Sequence, residues 1–151
     1  MDLELPLGAY TFKFQTHNGQ RQIYDALRKR FVSFTPEEYV RQHVIHMFTE
    51  DLKYPKSLMK SELSLGGGMR KHRCDVAVYL PNGKAFIITE CKAPNEVIDE
   101  KVLSQALRYH ALNPALYLIL TNGSYTIGVQ MQNEGFSLLE KWPAYPSTHH
   151  A

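Results

Sequence analysis

Cys74-Asp75-Val76-Ala77-Val78-Tyr79-Leu80, then Pro81-Asn82-Gly83-Lys84, then Ala85-Phe86-Ile87-Ile88-Thr89-Glu90-Cys91-Lys92 reads as a β-hairpin, and the rest of the chain arranges itself around it. Both runs are β-like, and Asn-Gly between them is a strong tight-turn signal. With Asn82 and Gly83 as a two-residue loop, Pro81 faces Lys84, Asp75 faces Glu90, and Cys74 faces Cys91.

Two carboxylates opposed on an antiparallel ladder have Cβ atoms roughly 4.5–5.5 Å apart, a like-charge placement that destabilises a sheet unless something compensates it. A divalent cation is the natural compensator. Side chains alternate along a strand, so Lys92 emerges on the Glu90 face one pleat further on. The expected cluster is two oxygen ligands for a hard metal, Mg²⁺ or Mn²⁺, with an ammonium beside them. That set suits metal-assisted hydrolysis of a phosphodiester. The cysteines fall on the opposite face. Their pairing admits a disulfide, although two small buried thiols in a reducing compartment are the simpler reading.

Outward from the hairpin, Thr35 with Pro36 and Glu38 forms a capping box, and Val40, Val44, Phe48 and Leu52 follow at helical spacing until Tyr54-Pro55. Ser57 to Leu65 reads as a strand and Gly66 to Arg73 as a connection. Ile98 to Leu112 reads as a second helix whose stripe is Ile98, Val102, Gln105, Tyr109 and Leu112. Ala115 to Thr121 is a continuous apolar run typical of a buried strand. Asn122-Gly123 turns the chain into Tyr125–Met131, and Phe136–Leu139 adds an edge. The predicted class is therefore α/β, an αβββαβ core with a mixed sheet flanked by helices. Residues 1–20 read as a lead-in with a short strand at Tyr10–Phe14, residues 21–146 as the domain, and 147–151 as a tail.

Asp75 followed by Glu90-x-Lys92 resembles the active-site signature of the PD-(D/E)xK nuclease superfamily, with Cys74 where the superfamily name has proline. The wider sequence is similar to the N-terminal nuclease domain of type I restriction enzyme R subunits. The likeness is carried by Thr35-Pro-Glu-Glu-Tyr-Val-Arg-Gln42, Tyr54-Pro-Lys-Ser-Leu58, Asp75-Val-Ala-Val-Tyr79, Glu90-Cys-Lys-Ala-Pro94, Gln105-x-x-x-Tyr109 and Thr121-Asn-Gly123. It extends from about Gln22 to about Tyr145.

The resemblance implies a restriction-endonuclease-like fold and a metal-dependent DNA endonuclease. In that reading Asp75 and Glu90 hold Mg²⁺ or Mn²⁺ with the Cys91 backbone carbonyl, and Lys92 orients or deprotonates the attacking water. Gln105 and Tyr109, one helical turn apart, assist the centre or contact DNA. Glu38 is explained first by the capping box and second, by analogy with the superfamily, as a third acidic ligand. Arg70, Lys71 and Arg73 lead into the Asp75 strand and are candidate phosphate contacts; Arg28-Lys29-Arg30 is a second basic run. DNA is the implied partner, together with restriction-type subunits or a second copy, because one active site cuts one strand. The competing reading is a non-catalytic nucleic-acid-binding or assembly module that keeps the fold.

Composition sets the remaining bounds. With 151 residues, 44% hydrophobic and 21% charged, the chain supports one real core. A formal charge of +2 does not identify a nucleic-acid binder by itself. No run of about 18 apolar residues and no basic-then-apolar leader is present, so the expectation is a soluble cytoplasmic protein without a membrane partner. Gly66-Gly67-Gly68 precedes Met69-Arg70 rather than Lys-Ser/Thr, so it is not a phosphate loop, and the expected module carries no motor of its own.

Overall fold

The structure, a computed structural model, describes residues 3–62, 74–111 and 114–146. Two sheets are present among them. The smaller is an antiparallel meander of β1 (Phe14–His17), β2 (Gln20–Asp25) and β3 (Arg30–Ser33). The larger has six strands in chain order: β4 (Met59–Glu62), β5 (Cys74–Tyr79), β6 (Ala85–Cys91), β7 (Tyr117–Thr121), β8 (Thr126–Met131) and β9 (Phe136–Leu138). Helix α1 (Pro36–His46) precedes β4, and α2 (Glu100–Tyr109) connects β6 to β7. The β6/β7 pair is parallel and its neighbours antiparallel, so the fold is mixed α/β with a mixed sheet.

Each helix covers one face of the large sheet. Val40, Val44 and Ile45 of α1 pack with Val76, Val78, Ile87 and Ile119. Ala106 of α2, with the flanking Val102, Leu103 and Leu107, packs with Ala77, Ile88, Leu118 and Leu120. Consecutive residues of β6 and β7 thus feed opposite cores, which is why both strands read as unbroken apolar runs. Burying each such side chain stabilises the fold by roughly 1.5–3 kcal/mol.

Helix α1 starts as its sequence predicts. Thr35 is the N-cap, accepting the Glu38 N–H at 3.0 Å, and Pro36 opens the first turn. The Glu38 carboxylate, which the capping box would send back to the Thr35 N–H, turns instead to Arg41 and Gln42. Beyond His46 the helix widens into a π-turn over Met47–Asp51. The strand predicted from Ser57 begins at Met59, after a 3₁₀ turn at Lys56–Leu58.

The hairpin loop differs from the two-residue expectation. Gly83 N–H donates to the Leu80 carbonyl at 2.9 Å and Leu80 N–H to that of Lys84 at 2.8 Å, so the loop is Pro81-Asn82-Gly83 with Gly83 at φ +90°. Pro81 is the cause, because its fixed φ suits the second position of a type I turn, which a glycine in the left-handed region then closes. This displaces the pairing by one residue, giving Tyr79 opposite Ala85. A bulge at Phe86 restores it, and from Val78 opposite Ile87 onward the predicted partners hold: Asp75 with Glu90, Cys74 with Cys91. The bulge also places Phe86 beside Ile87 in the α1-side core.

The segment read as a lead-in is built into the molecule. Leu3 and Leu5 lie in the α1-side core, Leu3 N–H donates to the Thr126 carbonyl at 3.0 Å, and Trp142 Nε1 donates to the Glu4 carbonyl at 3.0 Å. The N-terminal strand is Phe14–His17 rather than Tyr10–Phe14. Asn18 and Gly19 both have positive φ (52° and 76°), the geometry of a tight hairpin turn between β1 and β2.

Candidate active site

Asp75 and Glu90 sit directly opposite on β5 and β6, 2% and 4% exposed. Both belong to the face covered by α2, since Ala77 and Ile88 of the same parity pack there. Lys92 follows β6, its backbone N–H donating to the Thr121 carbonyl at 2.8 Å. Its Nζ lies 3.6 Å from Glu90 Oε1, with a quarter of the side chain open to solvent. The other Glu90 oxygen, Oε2, is 2.8 Å from His110 Nε2.

Sequence periodicity does not single out His110, because the stripe it suggests for α2 is out of phase with the one that packs. Asp99 caps α2 by accepting the Val102 N–H at 2.9 Å. From that start Val102, Ala106 and His110 fall on one line four residues apart, with Leu103 and Leu107 beside it. Gln105, one position off, is exposed. Tyr109 is half-buried against the His110 ring, centroids 4.9 Å apart. The signal that could have found His110 is Asp99 four residues before Leu103, which fixes the helical phase better than the glutamine does. Leu112 lies outside the described residues.

The loops around Lys92 are tied together by Asn122. Its Nδ2 donates to the Glu96 carbonyl at 2.8 Å, while its Oδ1 accepts the Ser124 and Tyr125 N–H groups. Gly123 has φ +94°, a conformation strained for any other residue, and a Cβ there would crowd Leu7 at 3.0 Å and Val40 at 3.3 Å. The turn therefore holds the ends of β6 and β7 against the core beneath the site.

Glu38 is not brought to this cluster. Its carboxylate pairs with Arg41, which also binds Asp25 and Ser61 on the α1 side of the sheet. Burial alone would raise the Asp25 carboxyl, but the Arg41 guanidinium, with the Arg28 and Leu27 N–H groups, offsets this and holds it below the usual carboxylate range. Cys91 is buried on the α1 side, away from Asp75 and Glu90. Arg70, Lys71 and Arg73 lie outside the described residues.

A family model for the type I restriction enzyme R protein N terminus matches residues 36–143. The chain belongs to that family. No curated protein and no solved structure matches it. The match spans α1 through β9, so every candidate side chain falls inside it. None of its helices is long and apolar enough to cross a membrane among the described residues.

As a metal centre, the donor chemistry fits a hard cation. Two buried carboxylates share one face, and carboxylate oxygens are hard donors. Among the described residues no group of three or more His, Cys, Asp and Glu side chains converges for a metal. Mg²⁺ does not require one, because it commonly takes one or two carboxylates and completes its shell with water and substrate phosphate.

Proposed function

We propose that this chain is a metal-dependent DNA endonuclease of the PD-(D/E)xK type, working as the cleavage module of a restriction-like assembly with DNA and partner subunits. The observation that carries the reading is Asp75 opposite Glu90 with the Lys92 ammonium 3.6 Å from Glu90, in a chain of a restriction-enzyme family. The succession α1, β4, β5, β6, α2, β7 is what the restriction-endonuclease-like core calls for.

Asp75 and Glu90 would hold Mg²⁺ or Mn²⁺, with the Cys91 carbonyl as a further ligand; when bound, the ion supplies charge neutralisation at phosphate and an activated water. Lys92 orients the attacking water or stabilises the charge gathering on phosphate oxygens, from a position partly open to solvent. His110 is a positioning residue, because its contact to Oε2 fixes the Glu90 carboxylate in the plane that presents Oε1 to Lys92. Gln105, exposed on α2, is available to DNA rather than to the buried carboxylates, and Tyr109 flanks His110.

The test joins plasmid nicking to a melting experiment. Supercoiled plasmid should be nicked with Mg²⁺ or Mn²⁺ and not with EDTA, and Mn²⁺ should raise the wild-type melting temperature by mass action. Asp75→Asn should lose both. An equal Mn²⁺ shift in wild type and Asp75→Asn would remove the basis for the metal site. Absent nicking with a retained shift would favour a non-catalytic binding module.

A further inference from the structure

The register of the small sheet assembles one face in three rows. Lys13, Tyr24 and Phe31 form the first, since Tyr24 N–H donates to the Lys13 carbonyl at 2.9 Å and Tyr24 pairs with Phe31. Gln15, Gln22 and Ser33 form the second, and His17 with Gln20 the third. Strand alternation sends Ile23 and Asp25 to the other side, where both are buried. The Tyr24 and Phe31 rings meet edge to face at 5.2 Å and are half-buried. Lys13 Nζ stands 5.5 Å from the Tyr24 ring centre, and Gln15 Nε2 donates to Gln22 Oε1 at 2.6 Å.

The charge of this region is one-sided. Lys13, Arg21, Arg28, Lys29 and Arg30 are five of the seventeen Lys and Arg residues, whereas Asp25 is the single one of fifteen acids between Phe12 and Phe34. Asp25 is itself buried on Arg41. The face therefore carries aromatic rings, amides and a hydroxyl with no carboxylate. Lys29 is exposed at its hairpin end, whereas Arg30, paired with Asp25, falls on the other side. β2 runs for about 20 Å at roughly 3.3 Å per residue, room for several nucleotides.

We infer that this face binds single-stranded nucleic acid at a site separate from Asp75 and Glu90. Tyr24 and Phe31 offer ring surface to bases. Gln15, Gln22 and Ser33 offer donors and acceptors to base edges, while Lys13 and Lys29 take phosphates. A duplex keeps its base faces stacked inside, so rings on a flat sheet reach only bases that have left the stack. Complementarity between an acid-free face bearing Lys13 and Lys29 and a phosphate chain selects the polyanion.

The test uses the full chain in EDTA, so that no cleavage occurs, and follows the anisotropy of a fluorescein-labelled oligothymidylate against a duplex of equal length. The single strand should bind at least about tenfold more tightly. Tyr24→Leu/Phe31→Leu, which keeps apolar bulk, should weaken it by roughly fivefold to a hundredfold for each base left unstacked. Lys13→Ala/Lys29→Ala should lower the salt slope by about 0.7 for each phosphate that is no longer neutralised. Gln15→Glu/Ser33→Glu places carboxylates at two exposed positions without touching a core and should also weaken binding, which keeps the test decisive if the aromatic variant misfolds. Asp75→Asn should bind the strand as wild type does. Unchanged affinity in the folded aromatic or Glu variants, a duplex bound as tightly, or loss of binding in Asp75→Asn would each overturn the inference. Failure of plasmid nicking alone would not, so the two readings fail separately.

Discussion

Two buried charged clusters lie on opposite faces of the large sheet. On the α1 side Arg41 binds Asp25 and Glu38, and all three side chains are withdrawn from solvent. Ser61, Gln42 and the backbone of Leu27 and Arg28 supply further hydrogen bonds. On the α2 side Asp75 and Glu90 face each other across the ladder, with Lys92 partly open to solvent and His110 behind Glu90. The first joins opposite charges and closes over them, as a structural cluster does. The second sets like charges together beside a solvent opening, an arrangement that costs stability and gains a reactive edge.

The largest expected effect tests the closed cluster. Arg41→Ala leaves two carboxylates buried without their guanidinium and should cost about 3–5 kcal/mol in urea unfolding. The folded fraction should cleave at the wild-type rate, and a loss beyond that fraction would show that the clusters are coupled. Lys92→Ala makes the opposite demand: little change in unfolding free energy, but single-turnover cleavage slower by about 10²-fold. Should Lys92→Ala lose DNA affinity and keep its rate at saturating DNA, the open cluster is a binding site. His110→Ala should slow cleavage by about tenfold through a misaimed Glu90, with His110→Gln recovering part of the loss by keeping a donor. Equal rates in all three proteins would return His110 to mere packing.

The smallest effect is on acid stability. His43 is fully buried, its Nε2 accepting the Gly8 N–H at 2.8 Å, so Nδ1 carries the proton donated to the Tyr39 carbonyl. Burial lowers its pKa below the ordinary 6.5. The unfolded chain therefore takes up the proton first, and the stability of neutral His43 is intact above about pH 6.5 and lost as pH falls toward its folded value. The depressed Asp25 carboxyl adds a second loss below about pH 4. His43→Gln should flatten unfolding free energy between pH 7 and 5 while leaving the lower limb, which Asp25→Asn should instead alter.

Much of this is legible one residue at a time. Thr35 and Pro36 begin α1 because capping and a fixed φ are local properties. The apolar runs of β6 and β7, and the α/β succession they imply, follow from periodicity. The facing of Asp75 and Glu90 follows even from a turn of the wrong length, because Pro81 lengthens the loop and the bulge at Phe86 takes the extra residue back. Asn18-Gly19 carries the same kind of turn signal for the β1–β2 hairpin, although the strand it closes starts four residues later than the expected Tyr10.

By itself, then, the sequence determined the two helices, the strands of the large sheet and which carboxylates share a ladder, since steric and hydrogen-bonding preferences act within a few residues; β2 and β3 are not among its expected strands. Only the tertiary structure decided which cluster each acid joins. Glu38 pairs with Arg41 because α1 lies over the face away from Asp75, and His110 reaches Glu90 because packing sets the phase of α2. Contacts between elements depend on which face a helix buries, and that is fixed by the whole core rather than by the spacing of any one stretch.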